Sequence, residues 1–388
     1  MMFGSGAALV ITLSAIIYYL ASCFAAFRFS RLRQPSTVLF QPPVTIVKPL
    51  HGAEATTYAA LESFCLQAYP AFQIVFSVRS ATDPAVSVVE QLILNYPLLD
   101  LALVVCDHTW GANHKVNNMA NALPRAKYPI IVFADSDIWV QPDYLTRVLQ
   151  PLQEHRVGMV TTMYRTRPSG WMAAFEALAT STEFFPSVLL ARQLEGMAFA
   201  FGATVVIRRE VLDAFGGLPQ IANYLADDFK IGECTAKAGF EVVLSEHVVD
   251  HGLTTRGIKA LLQHQLRWAR GNRFSRPWGT LGLLFTYGTI SSSLFFLLTH
   301  GSSIALRLLL ITWGLRYVLG WMVGVQLLRD EPATRLLWLA PLRDLVSFLI
   351  WLASWFGSEV DWNNRHLLLS NGGRITERTS AMVPNLPR

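Results

Sequence analysis

The sequence predicts an α/β domain with a mainly parallel sheet, flanked by transmembrane helices. In the middle of the chain, short apolar runs alternate with stretches of helical periodicity, which is typical of a parallel sheet covered on both faces. Long apolar stretches occur at both ends of the chain. Apolar residues make up 52% of the sequence and charged residues only 15%. The charged share is well below the roughly 25% of a soluble domain, so part of the chain is predicted to lie in a membrane.

The first predicted element is an N-terminal transmembrane anchor over residues 1–28. Residues 4–27 carry no charge, which is long enough to cross a bilayer, and Arg28, Arg31 and Arg33 follow. The positive charge comes after the apolar stretch, so the pattern indicates an uncleaved anchor and not a signal peptide. The positive-inside rule places the chain from Arg28 onward in the cytoplasm.

Residues 40–278 are predicted to form the α/β domain. Strands are predicted at 44–47, 73–78, 101–106 and 130–133, and helices at about 55–68, 84–95 and 115–123. Ligands of such sheets bind beyond the carboxyl ends of the strands, and Asp83, Asp107 and Asp135 each follow a strand. Neither G-x-G-x-x-G nor a P-loop sequence occurs, which disfavours dinucleotide and P-loop enzymes.

Charge and cysteine content exclude further classes. The net charge is +5 and is mostly due to arginine, without a dense basic tract interleaved with aromatic residues, so no nucleic-acid partner is predicted. The four cysteines form no C-x-x-C pair, which disfavours structural zinc and a disulfide framework. A domain with free thiols is expected to face a reducing cytoplasm.

The string Asp135-Ser136-Asp137 is the strongest candidate for a metal site. It follows the apolar run 130–133, and carboxylates at the end of a buried strand cost desolvation energy unless something compensates them. A divalent cation that carries phosphates is the usual compensation. Residues i and i+2 of an extended strand share a face, so both aspartates could hold one cation. Most isolated D-x-D strings are solvated turns, which is the alternative interpretation.

Two other acidic strings allow two interpretations each. Asp83 precedes Pro84 and predicts a helix N-cap, a contact with the base or ribose of a nucleotide, or both. Asp227 and Asp228 open a predicted helix. Acidic residues in a first helical turn complement the helix dipole, but a carboxylate there could also be a general base that takes a proton from an attacking hydroxyl.

Basic and aromatic side chains occur on two predicted helices. A polar loop that contains Asn113 and Lys115 enters a helix, where phosphate binds well, although a plain capped surface loop is an equally good interpretation. Before the second apolar block, His264 shares a helix face with Arg267 and Trp268. Arginine suits a pyrophosphate and tryptophan offers a flat wall to a sugar or lipid, but these residues could instead anchor the helix at a membrane interface.

Residues near 171–194 are apolar and aromatic but include Glu176 and Glu183. This composition predicts an interfacial amphipathic helix where a lipid can approach, or else a helix buried within the domain.

Residues 279–356 are predicted to form a C-terminal transmembrane bundle, with spans at about 279–298, 303–327 and 337–356. Four charged residues interrupt these spans, and such residues are functional, snorkel to the interface, or pair, as Arg343 could with Asp344. The charges are Arg307, Arg316, Arg343 and Asp344. Three spans would place the tail, residues 357–388, outside, whereas its arginines prefer the inside, so one segment could be re-entrant or interfacial.

Taken together, these strings resemble the processive-type family of inverting GT-A glycosyltransferases, and most closely the ceramide glucosyltransferases. The resemblance covers about residues 42–280. It rests on Lys48-Pro49-Leu50 with Gly52, Asp83-Pro84, the loop with Asn113, Lys115, Asn117 and Asn118, and Asp135, Asp228 and Arg267-Trp268. The last family motif begins with glutamine or arginine, where this chain has His264. That departure also points to a neighbouring bacterial branch that glycosylates hopanoid lipids with N-acetylglucosamine.

The resemblance implies a Rossmann-like GT-A domain in the cytoplasm and a multi-pass protein of a bacterial inner membrane. It implies transfer of glucose from UDP-glucose to the primary hydroxyl of ceramide with inversion. The alternatives are transfer from UDP-N-acetylglucosamine to a hopanoid, a polysaccharide synthase, and a non-catalytic membrane scaffold. The partners implied are the UDP-sugar, the lipid acceptor and the bilayer.

The resemblance also assigns roles to residues. Asp135 and Asp137 are expected to hold Mg²⁺ or Mn²⁺, and Asp228 is expected to be the base. Arg267 is expected to neutralise the leaving pyrophosphate, with Trp268 and His264 completing the catalytic set. The residues expected to bind the UDP-sugar are Lys48, Pro49, Asp83, Asn113, Lys115 and Asp135.

Overall fold

The structure is a computed structural model that describes residues 2–32, 39–363 and 365–378; Arg33 and Arg388 lie outside the described residues. Its centre is an eight-stranded sheet with the order β3-β2-β1-β4-β7-β6-β8-β5. The strands are β1 Val44–Pro49, β2 Phe72–Val78, β3 Asp100–Val105, β4 Ile130–Ala134, β5 Ile138–Trp139, β6 Val157–Pro168, β7 Thr204–Arg208 and β8 Glu241–Leu253.

The sheet is mainly parallel, as predicted. Strands β1 to β4 are parallel to their neighbours in this set, and β6 is parallel to β8. Strand β7 is antiparallel to β4 and β6, and β5 is antiparallel to β8. The four predicted strands are all present, and β1 continues to Pro49.

Helices cover both faces of the sheet, which explains why β1 and β4 are buried along their whole length. Along β4, Ile130 and Val132 join one apolar core, whereas Ile131 and Phe133 join the other. The helices are α1 Met2–Ser30, α2 Thr57–Cys65, α3 Ala85–Asn95, α4 His114–Ala122, α5 Tyr144–Val148, α6 Trp171–Ala179, α7 Phe185–Glu195, α8 Arg209–Ala214, α9 Asp227–Lys237, α10 Ile258–Ser275, α11 Pro277–Gly282, α12 Gly288–Leu298, α13 Ser303–Gly320, α14 Glu331–Leu336 and α15 Ala340–Ser354.

Three apolar segments in the described part of the chain are long enough to cross a membrane, namely Gly4–Ser30, Ser303–Leu327 and Glu331–Ser354. The predicted span at 279–298 is broken, because Pro277–Thr286 and Gly288–Leu298 are bent by 50° relative to each other. The carboxyl end of α1 joins the core of the α/β domain through Phe29. The apolar helices and the domain therefore form one packed unit.

Both ends of the segment 331–354 contact the α/β domain. At one end, the Asp330 carboxylate accepts the backbone N–H of Thr166 in β6 at 3.0 Å. At the other, Arg273 of α10 donates to the Gly357 carbonyl at 2.6 Å. Its helix α15 packs against α10 between these points. Both flanks of this segment therefore lie against the α/β domain.

Part of the region predicted as a tail folds into a three-stranded sheet, β9 Glu359–Trp362, β10 Arg365–Ser370 and β11 Arg374–Glu377. It packs on the α/β domain, where the Leu225 N–H donates to the Gly373 carbonyl at 3.0 Å. Arg365 donates to the Ala112 carbonyl at 2.9 Å. The tail arginines that the structure describes thus lie next to the α/β domain.

The segment near 171–194 consists of α6, a π-helical turn at Thr180–Phe184, and α7. Eleven of its 24 residues, including Glu176 and Phe185, are buried between the domain and the apolar helices, and only Trp171 and Leu194 are exposed. Helix α6 packs against α14 and α15, and α7 packs against α1. The buried helix, the second of the two predictions, therefore describes this segment better than a helix lying on the protein surface.

Candidate active site

One cavity of about 1710 Å³ begins at the carboxyl ends of the parallel strands and continues between the apolar helices. At the strand ends it is lined by Pro49, Asp83, Lys115, Asp135, Asp137, Gly202, Asp228 and His251. It is also lined by His264, Arg267 and Trp268 of α10, and between the apolar helices by Glu183, Tyr287, Arg316, Arg343 and Asp344. Residues separated by more than 200 positions thus share one space.

The start of α4 supplies the central cation of the site. Asn113 caps this helix, because its side-chain oxygen accepts a backbone N–H at 3.1 Å. The next turn holds the Lys115 ammonium 2.6 Å from Asp135 and 3.4 Å from Asp227. Burial lowers the pKa of Lys115, but the carboxylates of Asp135, Asp227 and Asp228 outweigh it and raise the pKa. Lys115 is therefore a fixed positive charge beside Asp135.

The two aspartates that follow β4 have different partners. Asp135 pairs with Lys115, so a cation of the protein itself compensates this buried carboxylate. Asp137 is half exposed, and its carboxylate lies 3.4 Å from the Nε2 atom of His251 in β8. Burial raises the pKa of Asp137, but His251 outweighs it and the pKa is lowered. The two aspartates of the predicted metal site thus have different partners in the structure. Asp137 is the one whose carboxylate remains accessible to a cation.

Asp137 and His251 fit a divalent cation that keeps most of its positions for phosphate and water. Within the described residues, no group of three or more His, Cys, Asp or Glu side chains forms a closed metal site. A cation here would therefore depend on the donor for its remaining ligands. No sequence pattern pointed to His251, which is a lone histidine in a strand.

Asp228 lies in the first turn of α9 and faces the cavity. Its carboxylate accepts the backbone N–H groups of Gly202 and Phe229, each at 2.7 Å. Burial and the neighbouring Asp227 raise the pKa of Asp228 to about 6, against the opposing charge of Lys115. A carboxylate with this pKa can take up a proton near neutral pH, as a general base must.

Gly202 lies where three functional side chains converge. A Cβ atom at this position would lie 3.1 Å from the Lys115 ammonium, 3.2 Å from an Asp135 oxygen and 3.4 Å from an Asp228 oxygen. Only a hydrogen atom leaves the space between these groups free for a substrate. Sequence reasoning did not identify Gly202, because no turn or helix end marks this glycine.

The raised pKa of Asp228 predicts how activity depends on pH. If Asp228 is the base, it must be deprotonated to act, so kcat/KM should fall as the pH drops below about 6 and should level off above it. The measurement is the initial rate of the catalysed reaction across this range at limiting substrates, because this rate reports the pKa of the ligand-free protein. A profile that stays flat well below pH 6, with the protein still folded, would contradict the assignment.

Helix α10 carries the other predicted catalytic residues. Arg267 makes no hydrogen bond within the described chain, and its guanidinium stacks 5.7 Å from the ring centre of Trp362. Burial lowers the pKa of Arg267 to about 10, which leaves it charged at neutral pH. Trp268 packs edge to face on His264, with 5.3 Å between ring centres. Arg267 is thus available to an anionic ligand.

His264 has an acidic partner that the sequence did not suggest. Its Nδ1 atom lies 2.5 Å from the carboxylate of Glu176, which is buried in α6. Thr255 and Gln265 donate to the same carboxylate at 2.5 and 3.0 Å. The histidine that departs from the family pattern therefore completes the shell of a buried carboxylate and joins α10 to α6.

Three residues predicted to bind the donor occupy different positions relative to the cavity. Lys48 is fully buried, and its ammonium donates to the Asp135 carbonyl at 2.5 Å. Burial lowers the pKa of Lys48 to about 7. Asn113 is also fully buried, and neither of these two side chains lines the cavity. Both side chains therefore lie behind the cavity wall, whereas Asp83 lines the cavity and accepts the Gly52 and Ala85 N–H groups, each at 2.9 Å.

Comparison with known proteins places this site in a family. The chain is 29% identical over 258 residues to ceramide glucosyltransferase 3 of Caenorhabditis elegans, which covers 66% of this chain and 55% of that protein. It is 33% identical over 160 residues to a ceramide glucosyltransferase of Komagataella phaffii, covering 38% of this chain and 31% of that protein. It thus spans about half the length, or less, of these curated relatives.

A solved structure shares the fold. It is that of the mannosyltransferase PcManGT from Pyrobaculum calidifontis in complex with GDP-Man and Mn²⁺, at a TM-score of 0.56 and 19% identity, covering 90% of this chain and 97% of that one. The pattern of the family described as Glycosyl transferase family 21 matches residues 7–375. The chain therefore belongs to glycosyl transferase family 21.

Proposed function

We propose that this protein transfers glucose from UDP-glucose to the primary hydroxyl of ceramide, with inversion at the anomeric carbon. The names of the curated relatives support this acceptor and sugar. The observation that carries the proposal is the cavity itself. It joins Lys115, Asp228 and Arg267 at the strand ends to a space between apolar helices, where a water-soluble donor and a lipid can meet.

The cations of the site are suited to a nucleoside diphosphate. Lys115 and Arg267 both line the cavity, and positive groups held in place stabilise the charge that develops on a leaving diphosphate. Asp83, which lies beyond the end of β2 and lines the cavity, would contact the ribose or base. Pro49 lines the wall, and Lys48 supports the carbonyl of Asp135 from behind.

The proposed reaction is a single displacement. Asp228 takes the proton of the lipid hydroxyl, and the hydroxyl oxygen attacks the anomeric carbon from the face opposite the diphosphate. A new bond forms between that oxygen and the anomeric carbon, while the bond from that carbon to the diphosphate oxygen breaks. The departing UDP carries the electron pair, and Lys115 and Arg267 neutralise its charge. A divalent cation bound at Asp137 and His251 would supply further neutralisation of the diphosphate.

The test of the function is transfer from radiolabelled donors by the full chain in membranes. UDP-glucose and UDP-N-acetylglucosamine are each supplied with total lipid extract, and the labelled product is identified by mass spectrometry. Glucosylceramide is the expected product. A hopanoid bearing N-acetylglucosamine would replace the proposal with its alternative. UDP binding without transfer to any lipid would indicate a non-catalytic scaffold.

Replacing Asp137 by asparagine should weaken the response to Mg²⁺ and Mn²⁺. The neutral amide is a poorer ligand for a hard cation, so we expect at least about a tenfold rise in the metal concentration for half-maximal activity. The measurement is a metal titration of transfer after chelation. Asp143→Asn is the matched control, because Asp143 pairs with Arg147 on the surface. An unchanged titration of Asp137→Asn would exclude Asp137 as a ligand.

A further inference from the structure

A polar cluster lies in the part of the cavity between the apolar helices. Arg316 of α13 pairs with Asp344 of α15 at 2.7 Å and donates to the Thr182 carbonyl at 3.1 Å. Thr289 of α12 donates to the same aspartate at 2.6 Å. The suggested pairing of Arg343 with Asp344 is therefore wrong, because Asp344 forms its ion pair with Arg316. This ion pair joins α13 to α15 and leaves Arg343 without a carboxylate partner among the described residues.

Arg343 is a buried cation with unused hydrogen-bond donors. Its side chain lines the cavity, and the residue is only 1% exposed. Its Nη2 atom donates to Gln265 at 2.7 Å, but Nε and Nη1 have no hydrogen-bond partner in the part of the chain that the structure describes. Leaving donors of a charged group unsatisfied in a buried site is costly. A charge within an apolar helix bundle is by default a functional group.

Glu183 supplies an unused acceptor in the same space. Its Oε1 atom is buried without a hydrogen-bond partner among the described residues, 3.9 Å from the Arg316 guanidinium. Burial raises the pKa of Glu183, and the positive charge of Arg343 opposes this rise. Within the described residues Arg343 and Glu183 form no ion pair with each other, although both line the cavity. An unsatisfied donor and an unsatisfied acceptor thus share one space.

We propose that Arg343 and Glu183 bind the polar head group of the acceptor lipid. Arg343 donates to a carbonyl or hydroxyl oxygen, and Glu183 accepts from an amide N–H or a second hydroxyl. This inference rests on the proposed function and narrows the acceptor to lipids that carry both kinds of group besides the reacting hydroxyl. A long-chain hydroxylated amide meets this requirement, whereas a diacylglycerol has no donor besides the reacting hydroxyl.

The same side chains connect the head group to the reaction site. Gln265 accepts from Arg343 and donates to Glu176 at 3.0 Å, and Glu176 in turn contacts His264. Helix α10 carries Gln265, His264 and Arg267. A head group bound by Arg343 would therefore be linked through Gln265 to α10, the helix that carries Arg267. We infer that this link positions the lipid hydroxyl relative to the donor.

The experiment compares two short-chain acceptors that each carry one primary hydroxyl, C6-ceramide and 1,2-dihexanoylglycerol. The full chain in nanodiscs is assayed as wild type, Arg343→Gln, Arg343→Lys and Glu183→Gln. We expect both glutamine variants to raise the KM for C6-ceramide at least about tenfold, because a site built to hydrogen-bond a group loses much of its affinity when one partner is removed. Glu183→Gln should also reduce the preference for C6-ceramide over dihexanoylglycerol, and Arg343→Lys should retain part of the affinity.

Arg335→Gln is the matched control, because Arg335 lies on the exposed side of α14 and pairs only with Glu331. Binding of fluorescent NBD-C6-ceramide and of UDP, with thermal unfolding, is measured on every variant. If wild type transfers nothing to ceramide, the proposed function fails, and loss of NBD-C6-ceramide binding in the glutamine variants still decides the head-group site. Folded variants with unchanged ceramide binding and KM would overturn the inference.

Discussion

Replacing Asp228 by asparagine is expected to lower the turnover of sugar transfer by about 10²–10⁴-fold, the contribution typical of a general base. Asparagine keeps the size of the side chain and can still accept one of the two backbone N–H groups that Asp228 accepts. It cannot take a proton from the lipid hydroxyl. UDP binding and thermal stability should remain close to those of the wild type, so that the loss appears in turnover and not in donor affinity.

The control for this variant is Asp213→Asn, which makes the same chemical change on an exposed helix away from the cavity. Initial rates at saturating donor and acceptor are the measurement, together with UDP binding by calorimetry. Asp227 would become the candidate base if Asp228→Asn transferred sugar at the wild-type rate. A loss of UDP binding in parallel with turnover would instead assign Asp228 to the donor site.

The second large effect is expected for Gly202→Ala. The added methyl group would lie within 3.4 Å of Lys115, Asp135 and Asp228. At these distances the three side chains have to shift by a few tenths of an ångström, or the substrate does. Because a misplacement of about 1 Å at a reacting centre can cost about 10²-fold in rate, we expect a loss of up to about tenfold. Gly202 does not have the positive φ that favours glycine, so alanine fits the backbone and the protein should fold normally.

Gly314→Ala is the matched control, because a Cβ atom at Gly314 meets nothing within 4 Å. Turnover and thermal unfolding are measured for both variants. Normal turnover in a folded Gly202→Ala protein would show that substrate does not occupy the space between Lys115 and Asp228, and the site would have to be placed elsewhere in the cavity.

The fold and part of the site could be predicted from the sequence because of the geometry of parallel sheets. Carboxyl ends of neighbouring parallel strands meet at one edge, so Asp83 and Asp135, which follow two strands, were expected to lie together. Both line the cavity. The order of the motifs then placed Asp228 and Arg267 in the same site, and the structure brings them to the same cavity.

The rest of the site depends on contacts between distant segments. His251 approaches Asp137 only because β8 pairs with β5, and Glu176 reaches His264 only because α6 packs against α10. No spacing in the sequence encodes either approach. A sequence motif likewise does not show whether a side chain is buried. Lys48 was therefore expected to line the cavity, although its side chain is fully buried behind the cavity wall.

The cavity joins the strand ends to the space between the apolar helices. The two proposed substrates would therefore reach it differently, one from the three-dimensional solution and the other from the two-dimensional membrane. The nucleotide sugar arrives from solution, and its supply depends on bulk concentration. The proposed lipid is confined to a bilayer, so its supply depends on mole fraction in the membrane plane and on lateral diffusion. Diluting the acceptor with inert phospholipid would then slow the reaction even when the total amount of each substrate is unchanged. The rate of the proposed reaction should therefore depend directly on the lipid composition of the membrane.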